Sequence, residues 1–311
     1  MQKIPLVVIN SPTATGKTSL AIKLALKFGG EIINADSMQV YRYFDIGTAK
    51  PTPEQRKQVR HHLIDVIEPD EEFNAALYAD MAREVIRKLN EEKKPVFIVG
   101  GTGLYIRALL KGIIETPPVD EGIRGYYKKL GQTRGKEYLY DLLKKKDKAA
   151  ASRIKPNDAV RVIRALEVLE QTGESITSKQ TKHAFADSPY HSLKIGLRVE
   201  RDELRKRIID RTSGMLDLGL VDEVKRILQE YGEGIKPLQS LGYRQIIRYL
   251  VGDYDLAEAK RLINRDTWHY AKRQITWFAA DKDIQWFAPD SFQDITVAVR
   301  KFWQGTPMVE T

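Results

Sequence analysis

Short runs of β-branched and aliphatic residues alternate with amphipathic stretches over the first third of the chain. Between the first two runs, apolar side chains recur at the three- and four-residue spacing of a helix, which stops at Gly29 and Gly30. Strands are predicted, in chain order, over residues 4–10, 31–34, 62–66, 96–99 and 193–199. The alternation predicts an α/β fold in which helices flank a parallel sheet.

A long helix is predicted to begin after Asn74, because an asparagine side chain accepts hydrogen bonds from the free N–H groups of a first helical turn. The apolar face of this helix is expected to consist of Leu77, Met81, Val85, Ile86 and Leu89.

The segment between the fourth and fifth predicted strands is too long for a simple crossover connection. Residues 119–191 contain 15 lysines and arginines against 10 aspartates and glutamates, a net charge of +5, and show helical periodicity over 159–169. We therefore expect an inserted basic helical domain at 119–191. Residues 1–118 and 192–311 are expected to form the core domain, and the pattern beyond residue 201 is almost wholly helical.

The composition narrows the classes of protein that remain. The 311 residues include no cysteine, which excludes disulfides, thiolate metal sites and a cysteine nucleophile. No stretch reaches the length of a membrane span, so we expect a cytoplasmic protein with no membrane partner. The net charge of +9 allows a polyanionic partner such as nucleic acid without requiring one.

A phosphate-binding loop directly follows the first predicted strand and opens the first helix. It consists of Ser11, Pro12, Thr13, Ala14, Thr15, Gly16, Lys17 and Thr18. Backbone N–H groups and the helix N-terminus form an anion site, Lys17 adds a positive charge, and the Thr18 hydroxyl can ligate Mg²⁺. Ser11 stands where such loops usually have glycine, so its backbone must be one that a side chain tolerates. The loop predicts a sheet of the P-loop NTPase type.

The acidic partner that a P-loop ATPase uses to hold magnesium is missing from the expected position. The strand over 96–99 ends in Gly100, Gly101, Thr102 and Gly103, and Asp65 is the nearest candidate elsewhere. ATP hydrolysis is therefore poorly supported. A P-loop kinase that phosphorylates a small metabolite and an RNA-binding ATPase remain as alternatives.

Asp36 follows the second predicted strand, at the sheet edge where the phosphate loop also lies. A carboxylate beside bound phosphates serves as a magnesium anchor or as a general base, and a turn cap is the structural alternative.

Motifs along the whole chain resemble those of the bacterial tRNA dimethylallyltransferases, also called tRNA isopentenyltransferases. Besides the phosphate loop, they read Asp-Ser-Met-Gln-Val-Tyr at 36–41, Asp-Ile-Gly-Thr-Ala-Lys-Pro at 45–51, Val-Gly-Gly-Thr-Gly-Leu-Tyr at 99–105, Pro-Asn-Asp at 156–158, Leu-Gly-Tyr-Arg-Gln at 241–245 and Ala-Lys-Arg-Gln-Ile-Thr-Trp-Phe at 271–278. The resemblance implies transfer of a dimethylallyl group from its diphosphate to N6 of the adenine at tRNA position 37, next to the anticodon. It also implies Mg²⁺ as cofactor, and we expect a monomer.

The same resemblance assigns roles to individual residues. It implies that the phosphate loop holds the diphosphate of the prenyl donor, that Lys17 and Thr18 bind diphosphate and metal, that Asp36 acts on the N6 proton, and that Arg211 contacts the diphosphate. The residues it implies for tRNA contact are Asp36, Ser37, Met38, Gln39, Thr102, Arg124, Arg161, Arg164, Gly242, Tyr243, Arg244, Gln245, Lys272 and Arg273.

A stretch of the C-terminal third offers a second basic surface. Arg261, Arg265, His269, Lys272 and Thr276 recur at helical spacing and share one predicted face. Such a face either contacts RNA or is simply solvated.

Overall fold

The protein was analysed as a computed structural model, which describes residues 3–113, 116–178 and 188–305. Six parallel strands form one sheet in the order β3-β2-β4-β1-β5-β6. Their bounds are β1 Ile4–Asn10, β2 Glu31–Asn34, β3 His61–His62, β4 Val96–Gly100, β5 Tyr190–Leu197 and β6 Ile284–Phe287. The α/β fold with a parallel, P-loop-type sheet is confirmed, and the carboxyl end of the central β1 leads into the phosphate loop.

The predicted third strand over 62–66 is wrong in extent. β3 ends at His62, because Leu63 and Asp65 adopt left-handed backbone angles, with φ of +59° and +55°, that do not fit a strand. The structure also contains β6, which was not predicted. This edge strand has only four residues, too few for an alternating pattern to stand out from the helical sequence around it.

Helices cover both faces of the sheet and make up most of the rest of the described chain. Their bounds are α1 Lys17–Phe28, α2 Pro53–Gln58, α3 Ala75–Glu91, α4 Gly103–Lys111, α5 Glu121–Arg134, α6 Lys136–Lys146, α7 Lys148–Arg153, α8 Ala159–Thr172, α9 Arg201–Asp217, α10 Leu220–Tyr231, α11 Tyr243–Leu250, α12 Leu256–Ala279 and α13 Phe292–Gln304. No helix in the described part of the chain is long and apolar enough to cross a membrane.

Helix α3 begins where the sequence predicted, but its buried face is rotated. The Asn74 side chain accepts hydrogen bonds from the backbone N–H groups of Ala76 and Leu77 at 3.0 Å. The buried residues are Ala75, Tyr78, Ala79, Ala82, Ile86 and Leu89. Leu77 is exposed, and the buried face instead includes the small residues Ala75, Ala79 and Ala82, which were not expected to form part of the apolar face.

The described chain divides into two compact units, one of residues 1–110 and 188–311 and the other of residues 111–187. The first contains the sheet, whose core joins α1, β1, β4, β5 and α13 through fully buried side chains such as Val7, Leu24, Phe97 and Val299. The second contains α5 to α8 around their own small core, with Tyr127, Leu143 and Val162 at its centre. The inserted domain was predicted at 119–191, so both predicted bounds lie several residues after those of the compact unit.

Candidate functional site

The phosphate loop is held in a tight curve by its own residues. Ala14 and Gly16 take left-handed φ angles of +63° and +93°, and the Thr15 hydroxyl donates to the Pro12 carbonyl at 2.9 Å. Ser11 is fully buried, and its Oγ accepts a hydrogen bond from the backbone N–H of Leu197 at 2.7 Å. This bond ties the loop to β5, and it is a contact that glycine at position 11 would lose.

A buried glutamine from α12 clamps the loop to the end of β4. Gln274 Oε1 accepts from the Thr13 N–H at 2.9 Å, and Gln274 Nε2 donates to the Gly101 carbonyl at 2.8 Å. A Cβ at Gly101 would lie 2.4 Å from Gln274 Nε2, which explains the glycine there. The sequence analysis quoted the motif that contains Gln274 but assigned it no role.

Lys17 opens α1 and points back over the loop, with its Nζ 3.5 Å from the Pro12 carbonyl. The pKa of this ammonium group is lowered to about 8, chiefly by burial, which the Asp36 carboxylate partly offsets and to which the Arg211 cation adds. A bound anion would favour the charged form.

Asp36 stands just beyond β2 and is half-buried. Its Oδ1 accepts the Met38 N–H at 2.9 Å, so the side chain does cap a turn. The Ser37 N–H donates to Thr102 Oγ1 at 3.0 Å, which fixes this turn against the loop after β4.

Three cavities meet around these residues. The phosphate cavity, of about 60 Å³, is lined by Lys17, Thr18, Asp36 and Arg211 among others. The adjoining cavity, of about 350 Å³, shares five lining residues with it: Thr13, Asp36, Thr48, Arg211 and Tyr270. The outer cleft, of about 800 Å³, is also lined by Lys17, Thr18 and Arg211.

Arg211, on α9, lines all three cavities and lies near the Asp36 carboxylate. Its Nη2 donates to the Thr48 carbonyl at 3.4 Å, and burial lowers the pKa of its guanidinium group. The structure thus brings together the predicted Lys17, Thr18, Asp36 and Arg211, which come from three elements far apart in sequence.

Of the predicted tRNA-contact residues near this site, Asp36, Ser37, Met38 and Thr102 are partly buried and Gly242 is buried, and the other six fall into two groups. Arg244, Lys272 and Arg273 are exposed, and Arg244 also pairs with Asp266 at 2.9 Å. The other group, which consists of Gln39, Tyr243 and Gln245, is buried and bonded within the protein.

The side chains of Tyr243 and Gln245 are thus engaged within the protein, Tyr243 also lines the adjoining cavity, and their contact with RNA stays a prediction. Gln245 accepts from the Gly242 N–H at 2.9 Å and donates to Asp266 at 2.8 Å. Both side chains shape the start of α11.

The arginines of the inserted unit are also unequal. Glu167 is fully buried, and its carboxylate pairs with Arg124 at 3.0 Å and with Arg164 at 2.9 Å. Arg164 further donates to the Pro117 carbonyl at 2.6 Å. Arg124 and Arg164 are therefore bonded within the unit, and their contact with RNA stays a prediction, whereas Arg161 is exposed beside Asp158.

Magnesium could be held here only with help from a ligand. Within the described residues, no three histidine or acidic side chains come close enough to form a metal site. Asp65, the candidate from the sequence, pairs with Lys50 at 2.5 Å and Arg56 at 2.6 Å. The Thr18 hydroxyl remains as a donor, and it fits Mg²⁺ that keeps waters and binds phosphate oxygens.

Comparison with known proteins agrees with the motif resemblance. The IPP transferase family matches residues 39–281. The chain is 52% identical over 276 residues to tRNA dimethylallyltransferase 2 of Syntrophus aciditrophicus. The aligned residues cover 88% of this chain and 89% of the relative. This chain is 51% identical over 274 residues to the protein of the same name in Geotalea uraniireducens, with 88% of each chain covered.

Two solved structures are similar over nearly the whole chain. The full-length tRNA isopentenylpyrophosphate transferase of Bacillus halodurans superposes with a TM-score of 0.72 at 38% identity, and 98% of each chain is covered. A eukaryotic dimethylallyltransferase acting on tRNA superposes with a TM-score of 0.80 at 26% identity, over 99% of this chain and 81% of the other.

Proposed function

The chain belongs to the IPP transferase family, and from that membership we propose how its site performs the family's reaction. The protein is a transferase that acts on tRNA, a tRNA dimethylallyltransferase. In our proposal it takes the dimethylallyl group from dimethylallyl diphosphate, attaches it to N6 of adenine at tRNA position 37, and releases diphosphate.

One observation carries the assignment of the site. The phosphate loop, Asp36 and Arg211 line one cavity of about 60 Å³, so a carboxylate and an anion-binding cradle face the same small space. Diphosphate departure and proton removal from a nucleophile require this juxtaposition. The ATPase alternatives lack the acidic residue at the end of β4, and no observation favours a kinase.

The diphosphate of the donor binds in the phosphate loop. Backbone N–H groups at the α1 N-terminus donate hydrogen bonds to it, Lys17 and Arg211 add two positive charges, and Thr18 would hold Mg²⁺. Magnesium, when bound, neutralises the charge that develops on the leaving oxygens. Because Lys17 and Arg211 are already desolvated, their stabilisation of this charge is stronger than it would be in water.

Asp36 acts on the adenine amine. As the allylic C–O bond breaks, its electron pair goes to diphosphate, the N6 lone pair forms the new C–N bond, and the N6 proton passes to the Asp36 carboxylate. The Asp36 turn holds this carboxylate on the boundary that the phosphate cavity shares with the adjoining cavity.

The adenine enters through the adjoining cavity. Its volume of about 350 Å³ and its lining by Tyr270, Met38 and Leu241 suit an aromatic base that has left the stack of the anticodon loop. Exposed Arg244, Lys272 and Arg273 contact the RNA backbone in this proposal.

The inserted basic unit binds the anticodon stem, with Arg161 as one contact. The enzyme acts as a monomer in the cytoplasm, where its tRNA substrate is.

Replacing Asp36 by asparagine tests the assignment. Asparagine retains an Oδ1 that accepts the Met38 N–H, so the turn stays intact while the proton acceptor is lost. We expect turnover to fall by roughly two to four decades, with donor and tRNA affinities kept. Asp70→Asn, the same change at an exposed position, is the matched control. Near-normal turnover of Asp36→Asn would refute the role of Asp36.

A further inference from the structure

Glu223, on α10, holds a loop of the sheet unit through four hydrogen bonds. Its Oε2 accepts the N–H groups of Asp45 at 3.1 Å and Ile46 at 2.7 Å. Its Oε1 accepts the Gly47 N–H at 3.0 Å and the Tyr243 hydroxyl at 2.6 Å. Glu223 is only 2% exposed, so water does not compete for these bonds.

Three consecutive N–H groups that converge on one point form the kind of concavity in which proteins bind anions. Here the protein's own carboxylate fills it. Gly47 is required in this arrangement, because a Cβ there would lie 2.5 Å from the Tyr243 ring. The contact is therefore built to fix residues 45–49, which we call the 45–49 loop, rather than to recruit a ligand.

The next carbonyl groups of the 45–49 loop contact residues of the site. The Thr48 carbonyl accepts from Arg211 Nη2 at 3.4 Å and from Gln39 Nε2 at 3.1 Å, and the Ala49 carbonyl accepts from the same Gln39 nitrogen at 3.2 Å. Thr48 itself lines both the phosphate cavity and the adjoining cavity. Any shift of the loop would therefore change where the Arg211 guanidinium points.

We propose that Glu223 is a positioning residue for the transfer reaction: it fixes the 45–49 loop so that the Thr48 carbonyl orients Arg211 toward the diphosphate. Glu223 is not among the described residues that line the three cavities, so it acts through the loop and not on the substrate. The proposal rests on the proposed function, in which Arg211 binds the leaving diphosphate.

Glu223→Gln is the direct perturbation. The amide NH₂ replaces one acceptor oxygen and faces an N–H donor of the loop, so at least one hydrogen bond is replaced by a donor–donor repulsion. We expect the affinity for inorganic diphosphate with Mg²⁺, measured by calorimetry, to fall about tenfold. The decisive measurement is the same change in an Arg211→Ala background, where the fall should be less than about twofold.

Matched variants separate positioning from general loosening of the fold. Glu167→Gln makes the same change at a buried carboxylate of the inserted unit that also accepts a backbone N–H, and it should leave diphosphate affinity unchanged. If Glu223→Gln does not fold, Glu223→Asp is used instead, because it keeps the carboxylate but places it farther from the loop. Its smaller loss of diphosphate affinity must likewise disappear in the Arg211→Ala background.

An equal loss of affinity in both backgrounds would overturn the proposal, and so would unchanged affinity in Glu223→Gln. Because the assay follows diphosphate binding alone, its outcome is separate from that of the proposed function. A chain that shows this coupling but transfers no dimethylallyl group to tRNA would refute the function and retain the role of Glu223 on Arg211.

Discussion

The lowered pKa of Lys17 predicts how the affinity for dimethylallyl diphosphate depends on pH. In the free protein this pKa is about 8, because burial disfavours the ammonium form. A diphosphate beside Nζ favours the ammonium form, so the pKa of Lys17 is higher in the complex than in the free protein. The protonated protein therefore binds the donor, and affinity is lost as pH rises through 8.

The size of the effect follows from the fraction of protonated Lys17. This fraction falls about tenfold between pH 7 and pH 9 and about tenfold again by pH 10, so donor affinity should fall in the same proportion. At pH 8.5, binding should take up about 0.8 proton per donor. The donor's own last phosphate ionisation lies near pH 6, so it does not contribute in this range.

Calorimetry in buffers of different ionisation enthalpy measures both quantities. Lys17→Met should bind the donor weakly. Its donor affinity should not depend on pH in this range, and binding should take up no proton. Lys144→Met, at an exposed lysine of the inserted unit, should keep both. A donor affinity that stays flat from pH 7 to pH 10 in the unmodified protein would refute the assignment of Lys17 to the diphosphate.

Further expectations follow from the same contacts. Lys17→Met should raise the melting temperature of the free protein at pH 7 by roughly 2–4 °C, as seen by calorimetry, because a desolvated charge is removed; a lower value would contradict the burial argument. Arg161→Ala should weaken tRNA binding and reduce the slope of log affinity against log salt by about 0.7–0.9, with melting unchanged; an unchanged slope would mean that Arg161 is only solvated. Arg164→Ala should instead destabilise the inserted unit by about 1–3 kcal/mol in urea unfolding, because buried Glu167 loses a charged partner; a variant of unchanged stability with weakened tRNA binding would show that Arg164 serves RNA contact instead.

Contiguous motifs explain most of what the sequence predicted correctly. The phosphate loop can be recognised from eight consecutive residues. Asp36 comes just after a strand that the hydrophobic pattern already identifies. Parallel-sheet topology then brings the two together, because the carboxyl ends of all the parallel strands lie at one edge, with β4 between β1 and β2.

Contacts between distant residues account for what the sequence could not indicate. Gln274 bonds to Thr13, 261 residues away, and no local pattern distinguishes such a glutamine from a solvated one. The positive charges of Arg124 and Arg164 indicate RNA equally well until buried Glu167 is seen between them. In each case the partner, and not the residue type, determines the role.

The most direct test of the central claim follows the fate of a label. The unmodified protein is incubated with bulk tRNA and either dimethylallyl diphosphate labelled in its five-carbon group or ATP labelled at the γ-phosphate, with Asp36→Asn in parallel. The account predicts that five-carbon label enters tRNA with release of one diphosphate per group, that Asp36→Asn transfers almost none, and that no phosphate label is transferred. Release or transfer of the phosphate label from ATP, with no five-carbon label entering tRNA, would contradict it.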